Sequence, residues 1–211
     1  MDNNKALEFW KTLASSNPDE KTVKVNPIND LTHIDANFIL RYVNENTDIL
    51  DLASGTGLTI NRLYDKVRHI DAVELFPEFS KFIKSNPKIT VINQDIVEFQ
   101  TEKKYDIITM FGIVSYFNEE DIKKIYYKYF DTLKLGGKLI VKSQFGVKED
   151  VEVSGFSQEL QKDYFSLYRH LEKEVKILES VGYKNIDVVD IYPPENNRWD
   201  NTHFYAIVAE K

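Results

Sequence analysis

Residues 49–58 read ILDLASGTGL and join a short apolar strand to a turn that contains two glycines. Apolar residues surround Asp51 at the end of the strand, and Gly55 and Gly57 lack the side chains that would keep a ligand away from the backbone. Turns of this kind bind nucleotide-like molecules in many α/β proteins, but an isolated GlyXaaGly also occurs in ordinary loops. The surrounding sequence decides between these two interpretations.

From residue 48 onward, short apolar runs alternate with segments of helical periodicity. The apolar runs predict seven strands at 48–52, 69–74, 89–93, 105–111, 138–144, 186–192 and 202–210. The segments between them predict helices near 57–66, 77–85, 119–133 and 158–181. This alternation predicts an α/β fold with a Rossmann-like, mostly parallel seven-stranded sheet and helices on both faces.

The last predicted strand has a different direction from the others. Residues 192–201, which join it to the strand before it, contain no helical pattern. A parallel crossover needs about a dozen residues or more, so we expect the last two strands to be antiparallel neighbours. We expect ligands to bind at the carboxyl ends of the parallel strands, where the glycine turn lies.

The N-terminal region precedes this alternating pattern. Residues 5–14 place Ala6, Trp10 and Leu13 on one helical stripe, and 15–30 has the composition of a loop. Thr32 and Asp35 match a capping box that opens a helix to about residue 44. We therefore expect residues 1–30 to form a helix and loop in a position to act as a lid, and residues 31–211 to form the main domain.

Composition excludes several classes of protein and site. The formal charge of −7 disfavours nucleic acid or an anionic membrane as a partner, because both attract basic surfaces. The chain has no cysteine, no HisXaaXaaXaaHis spacing and no acidic cluster, so we expect no metal site. Neither a signal segment nor an apolar run of about 18 residues is present, and we expect a cytoplasmic protein.

In their order, these features resemble the class I S-adenosylmethionine-dependent methyltransferases, over residues 31–211. The family's first motif is an acidic residue followed by three alternating glycines, which match Asp51, Ala53, Gly55 and Gly57 here. Alanine takes the place of the first glycine and fits there if its φ is negative and its side chain faces away from the ligand. The resemblance implies S-adenosylmethionine as the cofactor.

The resemblance also implies roles for residues at the other strand ends. Glu74 would accept hydrogen bonds from the ribose hydroxyls, and Asp95 from the adenine amino group, with Ile96 packed on the base. The backbone of Phe111 and Gly112 would contact the methionine portion. The full predicted cofactor site consists of Asp51, Ala53, Ser54, Gly55, Gly57, Glu74, Leu75, Asp95, Ile96, Phe111 and Gly112.

The acceptor is less well defined by the sequence. His203, at the start of the last strand, and His33, at the start of the helix before the first strand, are the candidate catalytic bases. The chain has only modest additions to the family's fold, which favours a small polar acceptor such as a sugar or amino sugar, methylated on oxygen or nitrogen. The AsnProProTyr signature of enzymes that methylate nucleic-acid bases is missing after the fourth strand.

Two other functions remain open at this point. A nicotinamide-dependent oxidoreductase also uses a glycine turn and an acidic residue after the second strand. The fingerprint of such an oxidoreductase places a third small residue where this chain has Ile60. The antiparallel last strand predicted here is not part of the oxidoreductase pattern. The second alternative is a protein that binds S-adenosylmethionine without turnover. The sequence does not predict the oligomeric state.

Overall fold

The computed structural model of the chain describes residues 3–23, 30–157, 162–196 and 200–211. The helices within these ranges are α1 (Asn3–Ala14), α2 (Thr32–Ile39), α3 (Pro77–Ser80), α4 (Glu119–Thr132) and α5 (Leu171–Val181). The strands are β1 (Asp48–Leu52), β2 (His69–Val73), β3 (Ile89–Ile92), β4 (Tyr105–Phe111), β5 (Leu133–Gly146), β6 (Val151–Ser157), β7 (Lys162–Tyr168), β8 (Lys184–Asp190) and β9 (Thr202–Glu210).

Seven of these strands form one sheet in the order β3-β2-β1-β4-β5-β9-β8. Strands β3, β2, β1, β4 and β5 are parallel, whereas β9 lies antiparallel between β5 and β8. The predicted mostly parallel sheet and its antiparallel last strand are therefore confirmed. The first turn after β1 and the segment after β4 lie at the same edge of the sheet, because parallel strands end together.

The central strands are apolar throughout because both faces of the sheet are covered. Successive side chains of a strand point to opposite faces. Leu50 and Leu52 of β1 accordingly belong to a core formed with α4 and α5, whereas Ile49 belongs to a second core formed with α2. All five residues of β1 are buried. The prediction of helices on both faces is confirmed.

Three predicted helices are shorter than the sequence pattern indicated. Instead of a helix over 57–66 there are two 3₁₀ turns, and the Asn61 side chain there bonds to Phe82 O and Lys84 N at 3.1 and 2.9 Å. Helix α3 ends at Ser80, whereas the sequence pattern extended it to residue 85. Helix α2 ends at Ile39, and a turn closed by Asn44 and Thr47 follows it.

The predicted capping box at the start of α2 is wrong. Leu31 is the residue before the helix, and no side chain caps the helix from that position. Instead, Asp30 Oδ1 accepts a hydrogen bond from the backbone N–H of Thr32 at 3.0 Å. Asp35 is therefore not needed at the helix start, and it faces the cavity described below.

The predicted helix over 158–181 is wrong in its first half. Strand β7 lies there and pairs with β6 in a separate antiparallel hairpin, and α5 begins only at Leu171. Ser166 and Tyr168 are buried while Leu167 between them is only partly buried, which is the alternation of a strand. Residues 158–161 of the predicted helix, and 24–29 of the predicted N-terminal loop, lie outside the described residues.

A buried ion pair attaches this hairpin to the segment that follows β4. The guanidinium of Arg169, only 2% exposed, lies with its Nε 2.5 Å from Glu174 Oε2. It also donates to the carbonyls of Val114 and Phe117, at 2.9 and 2.5 Å. One side chain thus fixes the backbone of 114–117 from two points.

We expect Arg169→Met to lower the free energy of unfolding by about 3–5 kcal/mol, because it leaves the Glu174 carboxylate buried without its cation. The matched control is Arg62→Met, which removes an exposed ion pair with Asp30. That control should change stability by less than about 1 kcal/mol. Urea denaturation of both variants measures the difference, and equal losses would contradict the role of Arg169.

Candidate active site

A cavity of about 370 Å³ lies at the carboxyl ends of β1, β2, β4 and β5. The glycine turn and the residues after β2 and β3 form one side of it, and residues of α2, β5 and β9 form the other. Ten of the eleven predicted cofactor residues line this cavity: Asp51, Ala53, Ser54, Gly55, Glu74, Leu75, Asp95, Ile96, Phe111 and Gly112.

Gly57 is the exception among the predicted cofactor residues. It is buried, with a φ of +75°, and a Cβ added there would lie 2.6 Å from Ile83 Cγ1. The glycine is therefore needed for packing against Ile83 and for its left-handed backbone. A side chain at this position would collide with the protein core before it reached a ligand.

The glycine turn has a left-handed backbone at its first position as well. Ala53 has a φ of +60°, so the expectation that this alanine keeps a negative φ is wrong. Left-handed backbone costs an L-residue about 1–2 kcal/mol, which a glycine would avoid. Gly55, with a φ of +55°, places its N–H 2.8 Å from the carboxylate of Glu74.

Glu74 organises the turn in addition to facing the cavity. Its Oε2 accepts from the N–H of Gly55 at 2.8 Å, and its Oε1 accepts from the N–H of Phe76 at 2.9 Å. Burial raises the pKa of Glu74, and these two hydrogen bonds oppose that rise. A carboxylate has about four lone-pair positions, so both oxygens keep one with which to accept from a pair of hydroxyls.

Asp51 is a second buried carboxylate on this side. Burial raises its pKa to about 6, and a hydrogen bond from Thr109 Oγ1 at 2.5 Å opposes the rise. A positively charged ligand beside Asp51 would favour the ionised form of this carboxyl group. Among the described cavity-lining residues, it is the carboxylate nearest in sequence to the glycine turn.

Asp95 forms a turn and also faces the cavity. Its Oδ1 accepts from the N–H of Val97 at 2.8 Å, and its carbonyl accepts from the N–H groups of Glu98 and Phe99. The side chain of Ile96 is 6% exposed and provides an apolar surface beside it. The turn uses Asp95 Oδ1, so Oδ2 is the oxygen suited to an amino donor.

Phe111 and Gly112 lie where the sequence placed them, at the end of β4. The N–H of Gly112 donates to Lys142 O at 2.8 Å, which continues the pairing of β4 with β5. This N–H is therefore engaged within the sheet and is not available to a ligand. Phe111 is half-buried and contributes its ring to the cavity wall.

Neither candidate histidine lies on the cavity wall. Phe204 faces the cavity, so its neighbour His203 points to the opposite side of β9, where its Nε2 lies 2.7 Å from Asp190 Oδ1. His33 is exposed, and its Nδ1 lies 3.1 Å from the carbonyl of Asp30. The structure gives no support to either residue as a catalytic base.

The sequence did not identify a polar cluster on the other side of the cavity. Lys142 Nζ lies 3.0 Å from both Asp35 Oδ2 and the hydroxyl of Tyr192, and that hydroxyl donates to Asp35 Oδ1 at 2.5 Å. Lys142 was the available signal, because it is a charged residue within the apolar run of the fifth predicted strand. All three residues line the cavity.

Helix α1 forms a further part of the wall. Trp10 packs edge-on against Phe79 and Tyr116, with ring centroids 6.1 and 6.0 Å away. The loop after α1 is held to the glycine turn, because Thr56 Oγ1 donates to Glu20 O at 2.6 Å. Aromatic side chains thus cover the space between the glycine turn and the segment after β4.

Comparison with known proteins finds a family match for the part of the chain that forms the cofactor side of the cavity. Residues 49–137 match a family model described as a methyltransferase domain. Over these residues the sequence of this chain is therefore similar to that of methyltransferases. The match spans β1 to the start of β5 and so includes every strand whose end contributes to the cofactor side of the cavity. No curated protein sequence matches the chain.

Solved structures share the methyltransferase fold. A 1,6-didemethyltoxoflavin-N1-methyltransferase from Burkholderia thailandensis has a TM-score of 0.77 and 12% identity, covering 100% of this chain and 91% of its own. A methyltransferase from Leishmania major gives 0.76 and 17%, covering 99% and 82%. Phosphoethanolamine N-methyltransferase 1 from Haemonchus contortus gives 0.74 and 16%, covering 99% and 49%.

The cavity fits S-adenosylmethionine chemically. Carboxylates of Glu74 and Asp95 suit the hydroxyl and amino donors of an adenosine, and the side chains of Leu75 and Ile96 provide the apolar surface that a purine ring needs. S-adenosylmethionine supplies a methyl group on a sulfonium. Among the described residues, no group of three His, Cys, Asp or Glu side chains could hold a metal ion.

The strain at Ala53 predicts an unusual response to substitution. Ala53→Gly should leave the free energy of unfolding unchanged or raise it by up to about 1 kcal/mol, because relief of the left-handed alanine exceeds the entropy cost of glycine. Gly55→Ala should instead lower it by about 1–2 kcal/mol. Chemical denaturation tests the pair, and a clear loss on Ala53→Gly would contradict the strain.

Glu74→Gln should weaken the binding of S-adenosylhomocysteine by about 1.5–3 kcal/mol, since the amide nitrogen cannot accept from a backbone N–H or a ribose hydroxyl. Calorimetric titration measures the affinity. Glu78→Gln, on the exposed side of α3, is the matched control and should bind as the unmodified protein does. Unchanged affinity in Glu74→Gln would exclude this carboxylate from the cofactor site.

Proposed function

We propose that the protein transfers a methyl group from S-adenosylmethionine to an oxygen or nitrogen atom of a small polar acceptor, such as a sugar or amino sugar. The observation that carries this proposal is the composition of the cavity. The residues suited to the cofactor lie on one side, and the Asp35, Lys142 and Tyr192 side chains lie on the other side of the same space. Donor and acceptor would therefore meet within one enclosure.

The protein's contribution to this reaction is mainly positional. Methyl transfer is an in-line displacement, which is fast when the reacting atoms are held about 3–3.5 Å apart and collinear. Glu74 and Asp95 would hold the two ends of the adenosine, and the β4 end at Phe111 would lie between donor and acceptor. The aromatic wall of Trp10 and Tyr116 would exclude water, which would strengthen each polar contact inside.

The size of the cavity supports a small acceptor. Its volume of about 370 Å³ is at the low end of ligand pockets, and the cofactor must share it. Two structural neighbours were solved with small acceptors, 1,6-didemethyltoxoflavin in one and phosphoethanolamine in the other. Their presence supports the same class of acceptor here.

The cavity wall favours nitrogen over oxygen as the acceptor atom. A hydroxyl acceptor gains about 100-fold or more from a positioned base, whereas an amine needs only its neutral form. Among the cavity-lining residues that the structure describes there is no histidine. Asp35, the carboxylate nearest the acceptor side, is already bonded to Lys142 and Tyr192.

We propose in addition that residues 1–30 act as a lid on residues 31–211. Trp10 and Val23 line the cavity, so ligand exchange would require this segment to move. The contacts that hold it are edge-on aromatic contacts and the hydrogen bond from Thr56 to Glu20, which are all non-covalent.

No helix in the described ranges is long and apolar enough to cross a bilayer. The cytoplasmic location stays a prediction.

The test uses S-adenosylmethionine with a labelled methyl group and a cell extract divided into small-molecule and macromolecular fractions. We expect label to appear in a compound of the small-molecule fraction. Label in RNA or protein alone would contradict the small acceptor. Calorimetric binding of S-adenosylmethionine without product from any fraction would favour a protein that binds the cofactor without turnover.

A further inference from the structure

We propose that Asp35, Lys142 and Tyr192 form the acceptor-binding subsite, and that this subsite selects an amino alcohol or amino sugar that is neutral or cationic over a phosphorylated acceptor. The inference rests on the proposed methyl transfer and specifies the substrate class of the same cavity. We refer to the three residues as the Asp35 cluster.

The Asp35 cluster is built from three separate parts of the fold. Asp35 lies on α2, Lys142 lies near the carboxyl end of β5, and Tyr192 follows β8. The side chain of Lys142 is 13% exposed and that of Asp35 is 8% exposed, yet both reach the cavity. A buried polar cluster costs free energy to desolvate, so its position on a cavity wall suits a role in binding.

The charges within the Asp35 cluster balance. Burial by itself lowers the pKa of Lys142, but the Asp35 carboxylate and the Tyr192 hydroxyl reverse this and raise it above its usual value. Burial also raises the pKa of Tyr192, against the influence of the Lys142 ammonium. At neutral pH the cluster therefore contains an ammonium and an un-ionised phenol next to a carboxylate partner.

The Asp35 cluster keeps hydrogen-bonding capacity for a ligand. An ammonium has three N–H donors, and within the described structure Lys142 directs two of them to Asp35 and Tyr192. Each carboxylate oxygen of Asp35 accepts one hydrogen bond and has a second lone-pair position. The cluster thus offers a donor beside an acceptor, which is the complement of neighbouring hydroxyl or amino groups.

The Asp35 cluster also lies close to the boundary with the cofactor side. Lys142 pairs with Phe111 in the sheet, and its ammonium lies 5.0 Å from the centroid of the Phe111 ring. Phe111 ends β4, and its backbone is part of the predicted methionine contact. An acceptor held by the cluster would therefore lie across this one ring from the methyl donor.

The charge of the whole cavity disfavours a phosphate. Its described lining contains the carboxyl groups of Asp35, Asp51, Glu74 and Asp95 but only one lysine or arginine, Lys142. Lys142 is already paired with Asp35. A phosphate monoester carries a charge of about −1.5 to −2 at neutral pH and would enter without a cation of its own. A hydroxyl or amine would bring no such penalty.

The first experiment compares acceptors in matched pairs: ethanolamine with phosphoethanolamine, and glucosamine with its phosphate ester. We expect turnover of an unphosphorylated member with kcat/KM at least about tenfold above that of its phosphate, the ratio expected when a charged group is buried unpaired. Preference for a phosphorylated member would overturn the proposal.

The second experiment tests the cluster itself. The variants are Tyr192→Phe and the double substitution Asp35→Asn with Lys142→Gln, which removes both charges together and so avoids an unpaired buried ion. Lys138→Gln is the control, because Lys138 lies on the same strand and pairs with Glu210 at the protein surface. We expect the cluster variants to raise the KM for the acceptor by about tenfold, while Lys138→Gln leaves it unchanged.

Calorimetry with S-adenosylhomocysteine distinguishes a failure of the acceptor subsite from a failure of the proposed methyl transfer. Unchanged affinity in the cluster variants, with a raised acceptor KM, supports the subsite. An unchanged KM, or equal losses of cofactor and acceptor binding in variants with a normal thermal unfolding midpoint, overturns it. Cofactor binding by the unmodified protein without turnover or binding of any of the four compounds overturns the acceptor class. Failure of the unmodified protein to bind S-adenosylhomocysteine contradicts the proposed function instead.

Discussion

The carboxylate of Glu74 is the contact on which the cofactor side of the molecule depends. It joins the turn after β1 to the start of α3, because one oxygen accepts from Gly55 and the other from Phe76. The turn also continues the sheet, since Ser54 N–H donates to Val73 O at 3.0 Å. The backbone conformation of the turn, including the unfavourable φ of Ala53, is therefore imposed by its neighbours and does not arise from the sequence of the turn alone.

The part of the cavity wall formed by the segment after β4 depends on a second buried charge. Arg169 donates to the carbonyls of Val114 and Phe117. Glu174 balances the charge of Arg169 and also accepts a hydrogen bond from the hydroxyl of Tyr126 at 2.5 Å. The segment fixed in this way contributes Ser115 and Tyr116 to the cavity wall. Two parts of the cavity wall are thus shaped by buried acidic or basic side chains that bind backbone, in loops that have little regular structure of their own.

The sequence predicted the sheet well because its strands are buried on both faces and so read as apolar runs. It failed at 162–168, where Tyr, Phe and Leu suit a helix as well as a strand, and the pairing with β6 decided the outcome. The prediction of His203 located the correct edge of the sheet but the wrong face, since alternation along β9 directs Phe204 inward instead. The Asp35 cluster was out of reach because its members approach one another only through tertiary packing.

The place of β9 in the sheet has a consequence for the order in which the protein assembles. Strand β9 follows β8 in the chain but lies between β5 and β8, so β8 has no partner in the sheet until β9 has been made and paired. Contacts of long sequence separation form slowly, because the intervening chain must be closed first. Strands β8 and β9 pair locally, whereas β9 joins β5 through residues far apart in the chain, such as Gly146 and Thr202. Tyr192 and Phe204 reach the cavity only when β9 has paired with β5, so the half of the cavity suited to a second ligand depends on a pairing that the glycine turn does not need.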